Sequence, residues 1–384
     1  AFRCRKLAIL ERILCALFGF IFSGKCCKKN TLMYVRENYA LENKAFKSHP
    51  DSEVKIIPPI EMIGVWDTVS AMGFPIKEIS DFINVVIYRF KFENQDLAEN
   101  VARGCHALSI DDERKTFHPL LWNENEETQS TIQQVWFAGV HANVGGGYPK
   151  HGMSLVTLDW MLHKAGETDL LFNTHDHENF TEHQNVNDKL YDSRAGVKSI
   201  YRYTPRNIGP LCARHGVTPR IHLSAFQRIA QSTEGYAPGN VPNTLEVVEN
   251  TGNTPTCQAV QKLMRESLDM TPSLLSKVGA EIALRITTHI AQLAILFFLF
   301  AMYLVDNSSN ADIWTVIMGL FSVNGLIALV VYAIKQYWWL IVAAILLYIA
   351  SSLAESRMKT IFSEFYHGLL KRLRKIFDLT NESV

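Results

Sequence analysis

Three apolar runs near the C-terminus constrain this chain more than any other feature. They are 288–305 (THIAQLAILFFLFAMYLV), 314–334 (WTVIMGLFSVNGLIALVVYAI) and 337–353 (YWWLIVAAILLYIASSL), and none contains an Asp, Glu, Lys or Arg. Each is about as long as the ~17–25 residues that a membrane-crossing helix needs. Only Lys335 and Gln336 separate the last two. One helix through both would be about twice as long as the ~30 Å bilayer core. The sequence therefore predicts a tight helical hairpin at 335–336, and two or three transmembrane helices over 288–353. Trp338 and Trp339 fall where an aromatic belt would lie. The alternative, a hairpin buried in a soluble core, is disfavoured by the charge-free length.

Residues 354–384 form a basic, amphipathic tail. Met358, Ile361, Phe362, Phe365, Leu369, Leu373 and Ile376 follow helical spacing, with Lys359, Lys371, Arg372, Arg374 and Lys375 on the other side. Such a helix can lie on an anionic membrane surface; a solvated tail or a partner helix is the competing reading. The acidic loop at 306–312 suits the outside of a membrane and the basic tail the inside, an arrangement that three spans forbid. A multi-pass membrane protein, with the domain before the spans on the cytoplasmic side, is the expectation.

The rest of the chain reads as a globular layer. Hydrophobic residues make up 48% of the whole, enough for a sizeable core, and 38 basic residues balance 38 acidic ones. That neutrality gives no support for nucleic-acid binding, which calls for a basic face. The seven cysteines are odd in number and irregularly spaced, which argues against a disulfide framework and for a reducing compartment. Residues 1–24 have an amphipathic helical pattern, and KCCKKN at 25–30 is a polar break; a lipidated Cys26–Cys27 pair is the less favoured reading there. Residues 60–65 and 135–140 read as buried strands, 94–107 and 128–134 as helical or irregular, and 153–165 as a helix. Strands alternating with helices imply an α/β fold with a parallel sheet. Residues 166–245 read as loops and short helices. The expected organisation is an α/β domain over 1–245, a helical linker over 246–287, the apolar helices over 288–353 and the tail over 354–384.

Two strings in the α/β part carry chemistry. IEMIGVWDTVSAMGFP (60–75) and VWFAGVHANVGGGYP (135–149) each run from an apolar strand into a polar residue, Asp67 and His141. In open α/β sheets functional groups collect at the carboxyl ends of strands. An acid followed by a histidine are the last two members of a hydrolase triad in the chain order Ser, Asp, His. No G-x-S-x-G occurs in the 384 residues. A lone Asp after a strand is more often a turn or cap residue, and a lone His more often structural; their joint placement raises the catalytic reading. Gly145, Gly146 and Gly147 suit a sharp turn beneath the histidine, and Asn143 can orient the turn or the ring. A phosphate-cradling loop is the competing reading, but the P-loop Lys-Ser/Thr and the G-x-G-x-x-G spacing are absent.

THDHENFTEH (174–183) gathers His175, Asp176, His177 and His183 at poor metal-ligand spacing in what reads as a surface loop, and no metal or cofactor is expected. Asp111, Asp112, Glu113 and Arg114 read as a structural ion-pair turn.

Four segments, IEMIGVWDTVSAMGFP, CHALSIDDERKTFHPLLW (105–122), QVWFAGVHANVGGGYP (134–149) and IHLSAFQRIAQSTEGYAPGNVP (221–242), resemble successive motifs of the uncharacterised α/β-hydrolase domain family that includes the phospholipase effectors of bacterial type VI secretion. The resemblance covers roughly 1–245. The family's nucleophile motif reads G-F-S-R-G followed by A-[FY]-x-x-R, and this chain begins AFRCRKL. The resemblance thus implies a serine three residues ahead of Ala1, Asp67 as the triad acid and His141 as its base. It implies the C-terminal part of an α/β-hydrolase sheet, a lipid or other acyl-ester substrate, and a chain inactive by itself. Ala142-Asn143, where Ser-Asp is common, and His118 depart from the family pattern. A degenerate hydrolase fold serving as a membrane-tethered binding or effector module is the alternative, and pore formation by the C-terminal helices a third reading.

Overall fold

The computed structural model describes residues 60–69, 96–125, 128–268, 271–308 and 319–379, less a few single positions within these ranges. The helix expected over 1–24, the break at 25–30 and the start of the run at 314–334 lie outside the described residues.

Among the described residues, five strands form one wholly parallel sheet in sequence order: β1 (Ile63–Trp66), β2 (Gly104–Ser109), β3 (Ile132–Phe137), β4 (Arg220–His222) and β5 (Glu246–Val248). Helices cover both faces, as a parallel sheet requires. They are α1 (His141–Gly145), α2 (Gly152–Gly166), α3 (Thr174–His183), α4 (Ile208–Ala213), α5 (Leu223–Ala230) and α6 (Pro255–Leu268), followed by α7 (Gly279–Ser308) and α8 (Val323–Ile376). The α/β expectation holds, with C-terminal apolar helices after the sheet.

Strand alternation splits the core in two. Cys105 and Ala107 of β2 with Val135 and Phe137 of β3 pack against Val156, Trp160 and Met161 of α2. On the opposite face Leu108, Trp136, Ile221 and Val247 join the larger cluster with α5, α6 and the second half of α8. Gly64 of β1 lies under α2 so closely that a Cβ there would stand 2.6 Å from the sulfur of Met161.

The helix at 153–165 is observed as α2, but three strands escaped the sequence. β2 falls in the stretch read as helical or irregular, although all six of its residues are buried. Its sequence, GCHALS, carries His and Ser at positions an ordinary core strand fills with Val or Ile, and both serve the site described below. β4 and β5 are three residues each, too short to show a periodicity, so the sheet continues past residue 245 into the stretch read as a linker.

The C-terminal apolar runs form two long helices. The second and third runs do not fold back at 335–336. They lie in one 54-residue helix, α8, with non-helical backbone only at Tyr337 (φ −134°, ψ 33°). Its antiparallel course along α7 is unbroken: Tyr332 packs edge-on against Tyr303 before the kink, and the Ala344 carbonyl accepts from Gln292 beyond it. The length objection fails because α8 does not stay in one environment. Up to Leu353 it shows large apolar side chains outward, Trp338 being 62% exposed. From Ala354 onward its apolar face (Met358, Phe362, Tyr366, Leu369 and Leu373) is buried in the α/β core. The helical spacing expected of the tail is real, and the surface it covers is the chain's own core. Among the described residues, α7 and α8 are the two helices long and apolar enough to cross a membrane.

Candidate active site: the Asp67–His141 pair

β1 ends at Trp66, and Asp67 follows in the left-handed region (φ 44°), which Asp tolerates better than most residues. That turn sends the side chain back over the end of the sheet, where it is fully buried. Its backbone N–H donates to the Ala107 carbonyl at 2.7 Å, and the next N–H, of Thr68, donates to Nε2 of the buried His106 at 3.1 Å. His106 accepts there as a neutral ring, since burial lowers its pKa to about 4.

A buried carboxylate needs partners for both oxygens, and Asp67 has five contacts. The backbone N–H of Ser109 donates to Oδ1 at 2.9 Å, and the Ser109 hydroxyl donates to Oδ2 at 3.1 Å. Arg206 donates to Oδ1 at 2.6 Å and to Oδ2 at 2.8 Å. Nδ1 of His141 lies 2.8 Å from Oδ2. Burial by itself would raise the pKa of Asp67; the Arg206 charge and hydrogen bonds, with those of His141, outweigh it and hold the carboxyl well below its ordinary value. Asp67 is therefore an anion at neutral pH.

His141 opens α1 after the short turn that follows β3, so the pair sits beyond the carboxyl ends of β1 and β3, on either side of β2. Two acids fasten the turn that delivers it. Asp111 accepts from the Gly139 N–H at 2.6 Å and from the Tyr236 hydroxyl at 2.9 Å. Asp112 accepts from the His141 N–H at 3.2 Å while its carboxylate grips Arg114 at 2.7 Å. The ion-pair turn expected at 111–114 is present, and it also clamps the histidine's backbone. The imidazole side chain is 32% exposed, and Phe117 packs edge-on against it at 5.3 Å. Among the described residues its Nε2 has no hydrogen-bond partner. An imidazole held through Nδ1 by an ionised carboxylate, with Nε2 accessible, can take up and return a proton at Nε2.

Asn143 spends its amide on the backbone rather than on the imidazole. It is buried, and its amide donates to the Lys189 carbonyl at 3.0 Å, tying α1 to the 189–191 loop. Gly145 ends α1, and Gly146 (φ 87°) and Gly147 (φ 109°) turn the chain away in conformations that favour glycine. Gly139 (φ 120°) is equally constrained: a Cβ there would stand 2.5 Å from that of Asn143. His118 bonds the Thr204 carbonyl at 3.0 Å. The 174–183 segment is helix α3 rather than a loop, and among the described residues no group of three His, Cys, Asp or Glu side chains is placed to hold a metal ion.

Arg206, Ser109 and His106 were not singled out in the sequence. Ser109 and His106 sit in the strand the sequence hid, and Arg206 lies 139 positions from Asp67 in a polar stretch with nothing to mark one arginine among several.

No curated protein and no solved structure gives a significant match to this chain. Residues 23–164, just over a third of the chain and the segment that holds both Asp67 and His141, match the model of the catalytic domain of Tle1-like phospholipase effectors of the type VI secretion system.

Proposed function

We propose that this chain carries the acid and base of a serine-hydrolase triad that cleaves acyl esters of membrane lipids. The observation that supports it most is the 2.8 Å contact between His141 Nδ1 and Asp67 Oδ2 inside a fully buried anion cradle. A proton shuttle needs an anion beside the developing imidazolium, and the contacts of Arg206 and His141 keep Asp67 ionised. The family match adds the phospholipase class.

In this reading a serine hydroxyl attacks the ester carbonyl. His141 takes the serine proton at Nε2 as the oxygen–carbon bond forms. It returns that proton to the leaving alcohol as the ester bond breaks, and water repeats the cycle on the acyl-enzyme. Asp67 fixes the tautomer with the proton on Nδ1. Asn143, Gly145, Gly146 and Gly147 are supporting residues that hold α1 in place. The outer parts of α7 and α8 anchor the protein as a two-helix membrane hairpin, which returns the basic end of α8 to the side of the α/β layer.

The test is ester hydrolysis by the full-length protein in phospholipid micelles. His141→Ala should lower turnover by at least ~10³-fold. Wild-type turnover in that variant would remove His141 as the base, and absence of turnover in the unsubstituted protein would replace this reading with a non-catalytic, membrane-tethered module. Carbonate extraction of membranes tests the anchor: release of the protein into the supernatant would refute it.

A further inference from the structure

Asp111 holds the turn that carries His141 by two bonds to one residue. Its side chain accepts from the Gly139 N–H at 2.6 Å, and its own N–H donates to the Gly139 carbonyl at 3.0 Å. Gly139 stands two positions before the imidazole, in the left-handed region (φ 120°). Whatever fixes Asp111 therefore fixes the approach of His141 to Asp67.

Asp111 is fixed in turn by the segment 236–240. The Tyr236 hydroxyl donates to Oδ2 of Asp111 at 2.9 Å, and the Asn240 amide donates to the carbonyl of the preceding residue, Ile110, at 2.7 Å. Tyr236 is 7% exposed and Asn240 6%, so water competes poorly for either bond. The hydroxyl makes the link and the ring does not: a phenylalanine would pack alike and lose it.

The backbone leading into this segment is strained. Ser232 (φ 53°) and Glu234 (φ 51°) lie in the left-handed region together with Gly235 (φ 67°). Such conformations in residues other than glycine persist where the surroundings over-determine them. Here the buried Arg228 donates to the Glu234 carboxylate at 3.2 Å, and the Leu190 N–H donates to the same oxygen at 3.3 Å.

The other side of the segment is covered by α8. The Tyr366 hydroxyl donates to the Pro238 carbonyl at 2.9 Å. The Phe362 ring lies so close over Gly239 that no side chain fits there. Arg374 donates to the Ala230 carbonyl, at the end of α5, at 2.9 Å. Contacts thus run without a gap from α8 through 238–239, Tyr236 and Asp111 to Gly139.

We propose that Tyr236 is a positioning residue for His141, acting through Asp111, and that the docked half of α8 holds it in place. This rests on the reading of His141 as the base and adds to it what sets the base's position. The helix that emerges as the apolar hairpin is then also a brace for the catalytic turn.

The test begins with Tyr236→Phe in the full-length protein. Amide exchange in peptides covering 139–145 should rise about fivefold or more, a readout that does not depend on turnover. With water-soluble p-nitrophenyl butyrate, kcat should fall about tenfold while KM stays within about twofold, since orientation of the base is lost and ester binding is not. Phe362→Ala, on α8, should shift exchange and kcat in the same directions. Once Asp111→Ala has been made, adding Tyr236→Phe should cost no further kcat, because both changes break one link. Val260→Ala, a core change in α6 outside these contacts, should leave exchange over 139–145 and kcat as they were. Unchanged exchange over 139–145 in Tyr236→Phe, or an equal rise in Val260→Ala, would overturn the proposal, and so would additive losses of kcat in the double variant. Absence of turnover in every form, the unsubstituted protein included, would refute the hydrolase reading, and the exchange data alone would then decide whether Tyr236 and α8 hold the turn.

Discussion

Arg206 places both terminal nitrogens of its guanidinium on the carboxylate of Asp67, at 2.6 and 2.8 Å, with neither side chain exposed to solvent. The same guanidinium donates to the carbonyls of Ser109 and Phe117 at 2.5 Å. It therefore joins the ends of β1 and β2 to the segment after β3 around one charge. Removing one partner of a buried ion pair strands the other, at a cost of about 3–5 kcal/mol. Arg206→Met should lower unfolding stability by that order in urea titration. Asp67→Asn combined with Arg206→Met should be more stable than Arg206→Met alone, since no buried anion is then left unpaired. Additive losses in the double variant would refute the pairing.

Asp67→Asn tests tautomer control separately. The asparagine amide can present a donor to Nδ1 and so turn the imidazole's proton to Nε2, where it blocks proton uptake. In the full-length protein kcat should fall by about 10⁴-fold, with KM for the ester changed by less than threefold. A fall below tenfold would remove Asp67 from the proposed machinery.

Ser109→Ala removes only the hydroxyl donor at 3.1 Å and leaves the backbone N–H on Oδ1. A hydrogen bond to a charged group contributes about 1.5–3 kcal/mol. Thermal unfolding should register a loss of that size, and kcat should drop much less than in Asp67→Asn.

Asp111 gives a pH signature. Burial pushes its carboxyl up to about 6, against the bonds from Gly139 and Tyr236 and the charges of Arg228 and Arg206. The folded state thus holds a proton that the unfolded chain releases near 3.8. Stability is greatest below the unfolded value and declines as pH rises from about 4 to about 6, by at most ~3 kcal/mol. Asp111→Asn keeps an acceptor for Gly139 and Tyr236 and should flatten that decline in urea titrations across the interval. Asp67 has the opposite sign. Its lowered pKa contributes stability above the ordinary carboxylate value, lost only as pH falls through the folded value, so it does not contribute to the 4–6 decline.

Gly239 reports on the docking of α8. A Cβ there would stand 2.2 Å from the ring of Phe362, which is buried against the α/β core. Gly239→Ala must displace that ring, and Phe362→Ala opens a cavity costing about 3–5 kcal/mol. Both should raise amide exchange over 354–376, where Tyr366 also donates to the Pro238 carbonyl at 2.9 Å. Unchanged exchange in both variants would place α8 away from the core.

The sequence by itself determined the α/β class, the strands that end at Asp67 and His141, the glycine turn after the histidine, and the apolar character of the two long helices. These are local properties: an apolar run of given length, a residue type at its end, a charge-free stretch. It missed β2 because a strand that serves a buried carboxylate carries Ser109 and His106 where hydrophobic patterning expects aliphatic residues. It placed a hairpin at Lys335–Gln336 because length against one bilayer was the only criterion available. The structure shows α8 running on through Lys335 and then changing partners, with its last two dozen residues packed on the protein's own core. Arg206 was invisible for a related reason. Its role depends on which carboxylate it meets across 139 positions, and burial makes that meeting decisive, because only in the absence of water does one guanidinium set the charge of the acid beside the histidine.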